Sequence, residues 1–326
     1  MSSISRRTLL VGAALAPLAA GGRATAQANW PNQVIRIVVP FAPGSFTDVS
    51  ARLVAQELTE QLGQSVIVEN KAGAGGTAGT VSVVRAAPDG YTLLLTDNSL
   101  SISPGLYPNL PYDPVKDLTQ VSRIADSPSI LMTRNNLGPK TLAELVSLAK
   151  EKPGQITFGS GGPGSSAHLA MELLLSVAGV KALHVPFRGV AAAIGDVIAG
   201  RVDMAIASLA SGVAHVKAGT LVGLAVSGDK RNELLPDVPT FAEAGQPRYE
   251  MSYWWGLAAP AATPQPIVDR LHGEVVKACA QPRLREAFLK SAALAATSTP
   301  AQMTKFVADE IDVWRGVIKS ANVSVQ

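Results

Sequence analysis

The sequence predicts an α/β protein of two domains, and three observations carry that expectation. Short β-rich apolar runs alternate with helical patterns at the spacing of βαβ units, which implies parallel sheet. The alternation restarts near residue 129 after a first cycle that ends near residue 95. No low-complexity linker or solenoid-period repeat separates the two stretches, so short crossing strands are expected to join them.

In chain order, Ile35 to Val39 reads as a buried strand, followed by a Pro/Gly loop and a helix from about Asp48 to Leu62. Val66 to Glu69 is a second strand, then a glycine loop and a helix to about Ala87; Thr92 to Leu95 is a third strand. In the second stretch, Ser129 to Thr133 is a strand, and Thr141-Leu142-Ala143-Glu144 is a capping box opening a helix to about Lys152. Ile156 to Phe158, Leu183 to Val185, Met204 to Ile206 and Leu221 to Val226 follow as strands with helices between them. Tyr253 to Leu257 is one more strand-like run, after which the tail is helical. One helix starts near Pro264 or Pro266 and the last opens at the capping box Thr299-Pro300-Ala301-Gln302. The crossings are expected near Val121 to Ala125 and near Trp254 to Leu257. They give a first domain of residues 27–125, a second of 126–252, and a return of 253–326 to the first.

The N-terminus predicts export. Arg6-Arg7 precedes an uncharged run from Thr8 to Ala20, and Ala24-Thr25-Ala26 supplies small residues for cleavage after Ala26. That run is too short to span a bilayer. Ser5-Arg6-Arg7-Thr8-Leu9-Leu10 also resembles a twin-arginine signal, with an ordinary Sec signal as the alternative. The chain carries 28 Lys+Arg and 25 Asp+Glu. Arg6, Arg7 and Arg23 leave with the leader, so the mature protein is formally neutral and neither nucleic acid nor an anionic membrane is an expected partner. The single cysteine, Cys279, excludes an internal disulfide, and the roughly 300 remaining residues suffice for two hydrophobic cores.

Two glycine loops match dinucleotide-binding spacing: Gly159-Ser160-Gly161-Gly162-Pro163-Gly164 and the looser Gly73-Ala74-Gly75-Gly76-Thr77-Ala78. A dinucleotide site needs an acid at the end of the next strand for the ribose hydroxyls. After the first loop that strand runs into His184-Val185-Pro186-Phe187-Arg188, without one. There is no H-E-x-x-H and no G-x-S-x-G, and His168, His184, His215 and His272 are scattered without ligand spacing. No cofactor, metal or catalytic residue is therefore expected. What the loops do offer is anion binding: Pro43 to Asp48 and Gly164 to His168 each follow a strand and open a helix, with hydroxyls at Ser45, Thr47, Ser165 and Ser166. N-capping is the competing role for each hydroxyl.

Several segments, in order, resemble one family. They are Val38-Val39-Pro40-Phe41-Ala42-Pro43-Gly44-Ser45-Phe46-Thr47-Asp48, Glu69-Asn70-Lys71-Ala72-Gly73-Ala74-Gly75-Gly76, Pro88-Asp89-Gly90-Tyr91-Thr92, Tyr112 to Leu118, His184 to Gly189 and Leu235 to Gly245. Together they resemble the tripartite tricarboxylate transporter receptors, also called Bug proteins. The resemblance implies a periplasmic-binding-protein-like (type II) Venus flytrap: two α/β domains with a ligand cleft between them and C-terminal helices returning to the first. It implies a periplasmic receptor, not an enzyme, that captures a small carboxylate and delivers it to the membrane permease subunits of a tripartite transporter. The alternatives are a module that presents its closed form to a sensor kinase ectodomain, and a secreted α/β enzyme.

Carried over residue by residue, the family site comprises Phe41, Pro43, Gly44, Ser45, Phe46 and Asp48 of the first loop, and Asn98 after the third strand. The second domain adds Ser160, Gly161, Gly164, Ser165 and Ser166, with Phe187, Ala207 and Ser208. Asp48 has the competing role of anchoring its loop, His168 that of packing or capping, and Phe46 and Phe187 that of core. The sequence departs from the family at Ser45, where a second glycine is usual. It departs again at Ser165-Ser166-Ala167, where one hydroxyl of the usual run is lost, and at Ala207-Ser208, where many members carry Asp-Asn. The last change implies a less polar or bulkier acid rather than an amino acid, whose ammonium would want a carboxylate.

Overall fold

The computed structural model describes residues 30–321 and 323; the proposed leader and its cleavage site at Ala26 lie outside the described residues. Among the described residues ten strands form one sheet: β1 (Ile35–Val39), β2 (Val66–Asn70), β3 (Thr92–Asp97), β4 (Leu118–Arg134), β5 (Thr157–Ser160), β6 (Leu183–Pro186), β7 (Met204–Ser208), β8 (Leu221–Val226), β9 (Ser252–Pro260) and β10 (Leu294–Ala295). The order is β2-β1-β3-β9-β4-β7-β5-β6, with β8 and β10 also pairing β4. β1 pairs in parallel with β2 and β3, and β5 with β6 and β7. These are the parallel units the strand–helix alternation predicts.

β4 pairs within both lobes. β4 runs antiparallel to β9 from Leu118 to Pro128, then pairs antiparallel with β7 and β8 from Ser129 to Arg134. The sequence reading recovers the second stretch as a strand and, of the first, only the short crossing expected near Val121 to Ala125. Its full length is hidden because the register shifts between Gln120 and Ser122 and again between Arg123 and Ala125. Each irregularity breaks the period-2 alternation by which a half-buried strand is read.

The helices follow from their caps. Phe46–Leu62 begins two residues before the expected Asp48, because Ser45 is its N-cap and accepts the Asp48 N–H at 3.4 Å; it ends at Gly63 with φ 66°. Thr141 and Glu144 complete the predicted capping box of Leu142–Glu151. Thr299 and Gln302 exchange the equivalent bonds at the start of Pro300–Ala321. The Thr77–Val84 helix stops short of Ala87, and Ser99–Leu106 was not anticipated, since its Pro104-Gly105 pair reads as a turn.

The first lobe packs Val54 and Leu58 against Ile35, Ile37 and Leu93, with Leu271, Val275 and Phe288 of the C-terminal segment in the same core. Val38, Leu94 and Trp254 meet Met303, Val307 and Ile311 of the last helix on the other side of the sheet. The C-terminal helices thus return to the first lobe. The second lobe adds Ile130, Met132, Val197, Val213 and Leu221. Among the described residues no helix is long and apolar enough to cross a membrane.

Candidate functional site

The C-terminal ends of β1, β3, β5 and β7 all turn toward one cavity between the lobes, the usual ligand position in an open α/β sheet. The space, its mouth included, is ≈ 360 Å³. β1 and β5 each lead through a short loop into a helix whose first residues reach the wall, and β7 runs directly into one through its N-cap Ser208. The wall includes Ser45, Phe46 and Thr47 after β1, Gly161 and Ser165 to Ala167 after β5, and Ala207 and Ser208 at the end of β7 with Ser211 just beyond it.

The loop hydrogen bonds determine which donors remain for a ligand. In the first loop the Gly44 N–H donates to Asp48 Oδ2 at 3.2 Å, and the Asp48 N–H to the Ser45 cap. The first main-chain bond of the helix is Val49 N–H to Ser45 O at 3.0 Å. The Phe46 and Thr47 N–H groups precede it and have no partner within the helix. In the second lobe the Gly164 N–H donates to His168 Nδ1 at 3.2 Å, the His168 N–H to Ser165 Oγ at 3.3 Å, and Leu169 N–H closes the first turn on Ser165 O. Ser166 and Ala167 are left in the same position as Phe46 and Thr47. Two helix N-termini thus present four backbone donors to one cavity.

Of the sequence-predicted residues, the structure brings Phe41, Ser45, Phe46, Gly161, Ser165, Ser166, Ala207 and Ser208 to the wall. The others stand behind it. Asp48 accepts from Gly44, from Asn70 Nδ2 at 2.9 Å and from Arg52 Nη2 at 2.9 Å, so it ties the loop together. These hydrogen bonds hold its carboxyl below the usual range although burial alone would raise it. Pro43 and Gly44 are exposed at the rim. Asn98 bridges β9, accepting from the Trp254 N–H at 3.2 Å and donating to the Ser252 carbonyl at 3.1 Å. Phe187 packs on the second core. Gly164 shapes the loop with φ +79°.

Ser160 braces the same loop through the Gly162 N–H at 3.1 Å, and its Oγ lies 2.6 Å from His184 Nε2. His184 stacks on His168 with centroids 4.0 Å apart; burial, then the neighbouring His168, lower its pKa to about 4. Neither Ser160 nor His184 lines the cavity, so this Ser–His contact does not face a ligand. Among the described residues no cluster of three or more His, Cys, Asp or Glu side chains is arranged to hold a metal.

Sequence reasoning missed Asp97, Val190, Ser211, Tyr253 and Trp255. Asp97 and Trp255 are register partners across β3 and β9, and Tyr253 lies two residues before Trp255, so alternation puts all three on one sheet face. The Trp255 Nε1–H donates to Thr47 Oγ1 at 3.0 Å, which leaves the Thr47 hydroxyl proton for Asp97 Oδ2 at 3.3 Å. The Ser99 N–H donates to Asp97 Oδ1 at 2.9 Å and Ser166 Oγ to Oδ2 at 3.4 Å. Burial raises the Asp97 pKa and these hydrogen bonds oppose the rise. Periodicity could have placed Asp97 on this face, had β3 been extended two residues past Leu95.

The lobes touch around the cavity. The Tyr107 hydroxyl donates to the Pro163 carbonyl at 2.9 Å, and the Ala42 N–H to the Arg188 carbonyl at 3.3 Å. A Cβ on Gly75 would stand 2.3 Å from the Pro163 oxygen, so only glycine permits this approach. This is the closed arrangement of two lobes around a small site.

Two α/β lobes sharing a crossing strand pair, with helix N-termini converging on an enclosed cleft, define a solute-binding protein. The chain belongs to the tripartite tricarboxylate transporter family receptors, whose model matches residues 50–323. It is 36% identical over 300 residues to BugT of Bordetella pertussis, covering 91% of this chain and 92% of that protein. The solved periplasmic binding protein BugD shares 33% identity at TM-score 0.88, covering 91% of this chain and all of that one. Two proteins from Rhodopseudomonas palustris, Rpa4515 with adipate and MatC with bound malate, each share 33% identity, at TM-scores 0.87 and 0.85. They cover 91% and 89% of this chain, and 99% and 100% of their own.

Proposed function

We propose that the mature protein is a periplasmic receptor that closes on a small carboxylate and hands it unchanged to the membrane permease subunits of a tripartite transporter. The observation that carries this reading is the convergence of the Phe46–Leu62 and Ser166–Ala178 helix N-termini, each with two unbonded N–H groups, on one enclosed space. A carboxylate there receives charge-assisted hydrogen bonds from backbone donors, which cost little to pre-order. The adipate and malate named for two relatives support the ligand class.

The proposed division into residues 27–125 with 253–326, and 126–252, is supported by the change of partners along β4 at Pro128–Ser129. The two lobes hinge on β4 and β9, and the ligand stabilises the closed form by the difference in its affinity for the two states. Export through a leader cleaved near Ala26 completes the reading. Small-angle scattering of the mature protein across a panel of carboxylates tests it: the binding acid reduces the radius of gyration and raises the melting temperature. Saturation by an acid without compaction refutes the closing mechanism, and no response to any carboxylate refutes the ligand class.

A further inference from the structure

The cavity wall contains one carboxylate. Asp97 is 4% exposed, and its hydrogen bonds come from Ser99, Thr47 and Ser166; among the described residues no basic side chain lies against it. All three partners donate to it. Thr47 Oγ1 also accepts from the Trp255 Nε1–H, which leaves its own proton available for Asp97. As a carboxylate, Asp97 keeps lone pairs beyond these bonds for a further donor from a ligand. Removing such a group from water is costly unless it is paired.

A second polar group on the same sheet face points to the same conclusion. Tyr253 is 4% exposed, lines the cavity, and its hydroxyl has no hydrogen-bond partner in the protein. Its ring is parallel to Trp255 at 6.3 Å, and Phe46 meets Trp255 edge-on at 4.5 Å. An acid, an unpartnered phenol and an aromatic wall in one enclosed space are the components that recognise a cationic nitrogen.

Resting on the carboxylate reading above, we infer that Asp97 and Tyr253 form a cation subsite, so that the ligand is an ammonium carboxylate and not a plain di- or tricarboxylate. Its carboxylate takes the helix N–H groups and its nitrogen takes Asp97, while Tyr253 supplies its oxygen or its ring. This reverses the expectation drawn from Ala207-Ser208. The second-lobe polar pair is indeed absent, but a carboxylate enters the cleft from β3 of the first lobe instead.

Calorimetric titration with matched pairs differing only by the nitrogen tests this: succinate against aspartate, 3-phenylpropanoate against phenylalanine, butanoate against 2- and 4-aminobutanoate. At least one amino member is expected to bind about tenfold or more tightly than its partner acid. Asp97→Asn is expected to abolish that preference, and Tyr253→Phe to reduce it severalfold. Melting curves of the ligand-free variants confirm that each is folded. Preference for the nitrogen-free acids, strengthened further by Asp97→Asn, overturns the cation subsite and leaves the carboxylate receptor standing. So does a preference that both variants leave unchanged. Binding of neither series removes both readings.

Discussion

Tyr107 of the first lobe donates its hydroxyl proton to the Pro163 carbonyl of the second at 2.9 Å, a bond that exists only while the lobes are together. Neither residue lines the cavity, so the bond is a latch outside the wall. Tyr107→Phe removes about 1 kcal/mol from the closed state, since a hydrogen bond is lost and a solvated carbonyl remains. The expected outcome is a severalfold faster ligand release in stopped-flow measurements, with an unchanged melting temperature for the ligand-free protein. An unchanged release rate would mean that the bond contributes nothing to closure.

Gly75 is the steric counterpart of that latch. Its φ is +61°, and an added Cβ falls 2.3 Å from the Pro163 oxygen and 2.8 Å from the Gly164 carbonyl carbon. Gly75→Val should leave two folded lobes that cannot meet. Its circular dichroism is expected to match the parent, while ligand no longer reduces its radius of gyration. Full ligand-induced compaction of Gly75→Val would show that this contact does not define the closed form.

Ser165 and Ser166, adjacent in sequence, have different roles. Ser165 Oγ caps its helix by accepting from the His168 N–H and donates to the Gly162 carbonyl at 2.8 Å. Ser165→Ala should cost about 1 kcal/mol of stability in urea titration, the usual value of an N-cap, with a smaller change in affinity. Ser166 Oγ reaches across the lobes to Asp97, so Ser166→Ala should weaken binding and spare stability. Equal effects of both substitutions on affinity would contradict this division of roles.

The sequence alone places the helix caps, the parallel strands and both loops that line the cavity, because each rests on local chemistry: Ser45, Thr141 and Thr299 at caps, and apolar runs such as Ile35 to Val39. It does not reveal which donors are free. The Gly44 N–H is consumed by Asp48 and the Gly164 N–H by His168, and both facts depend on loop conformations that no periodicity encodes. Asp97, Tyr253 and Trp255 were missed for a different reason: they belong to the cleft through the register of β3 against β9, a long-range pairing. Asn98 was singled out as a ligand contact, whereas its neighbour Asp97 faces the cavity and Asn98 itself bonds to β9.

Glu310 supplies a pH dependence. It accepts from Trp254 Nε1–H at 2.6 Å, and burial raises its pKa to about 7 against these hydrogen bonds. Between its unfolded value near 4.5 and about 7 the folded state therefore holds more protons than the unfolded state, so this group makes stability fall as pH rises through that window. Glu310→Gln should flatten the fall, measured as the urea midpoint at pH 5 and pH 8. A parent protein whose Glu310-dependent stability rises over this interval would reverse the assignment.

The most direct measurement of the central claim is a high-resolution crystal structure of the mature protein with an acid identified by titration. The account predicts the ligand carboxylate within about 3 Å of the Phe46 or Thr47 N–H on one side and the Ser166 or Ala167 N–H on the other. It also predicts that Arg188, exposed at the surface, makes no contact with the ligand. A carboxylate paired with Arg188, or lodged outside the space between the two helix N-termini, would contradict it.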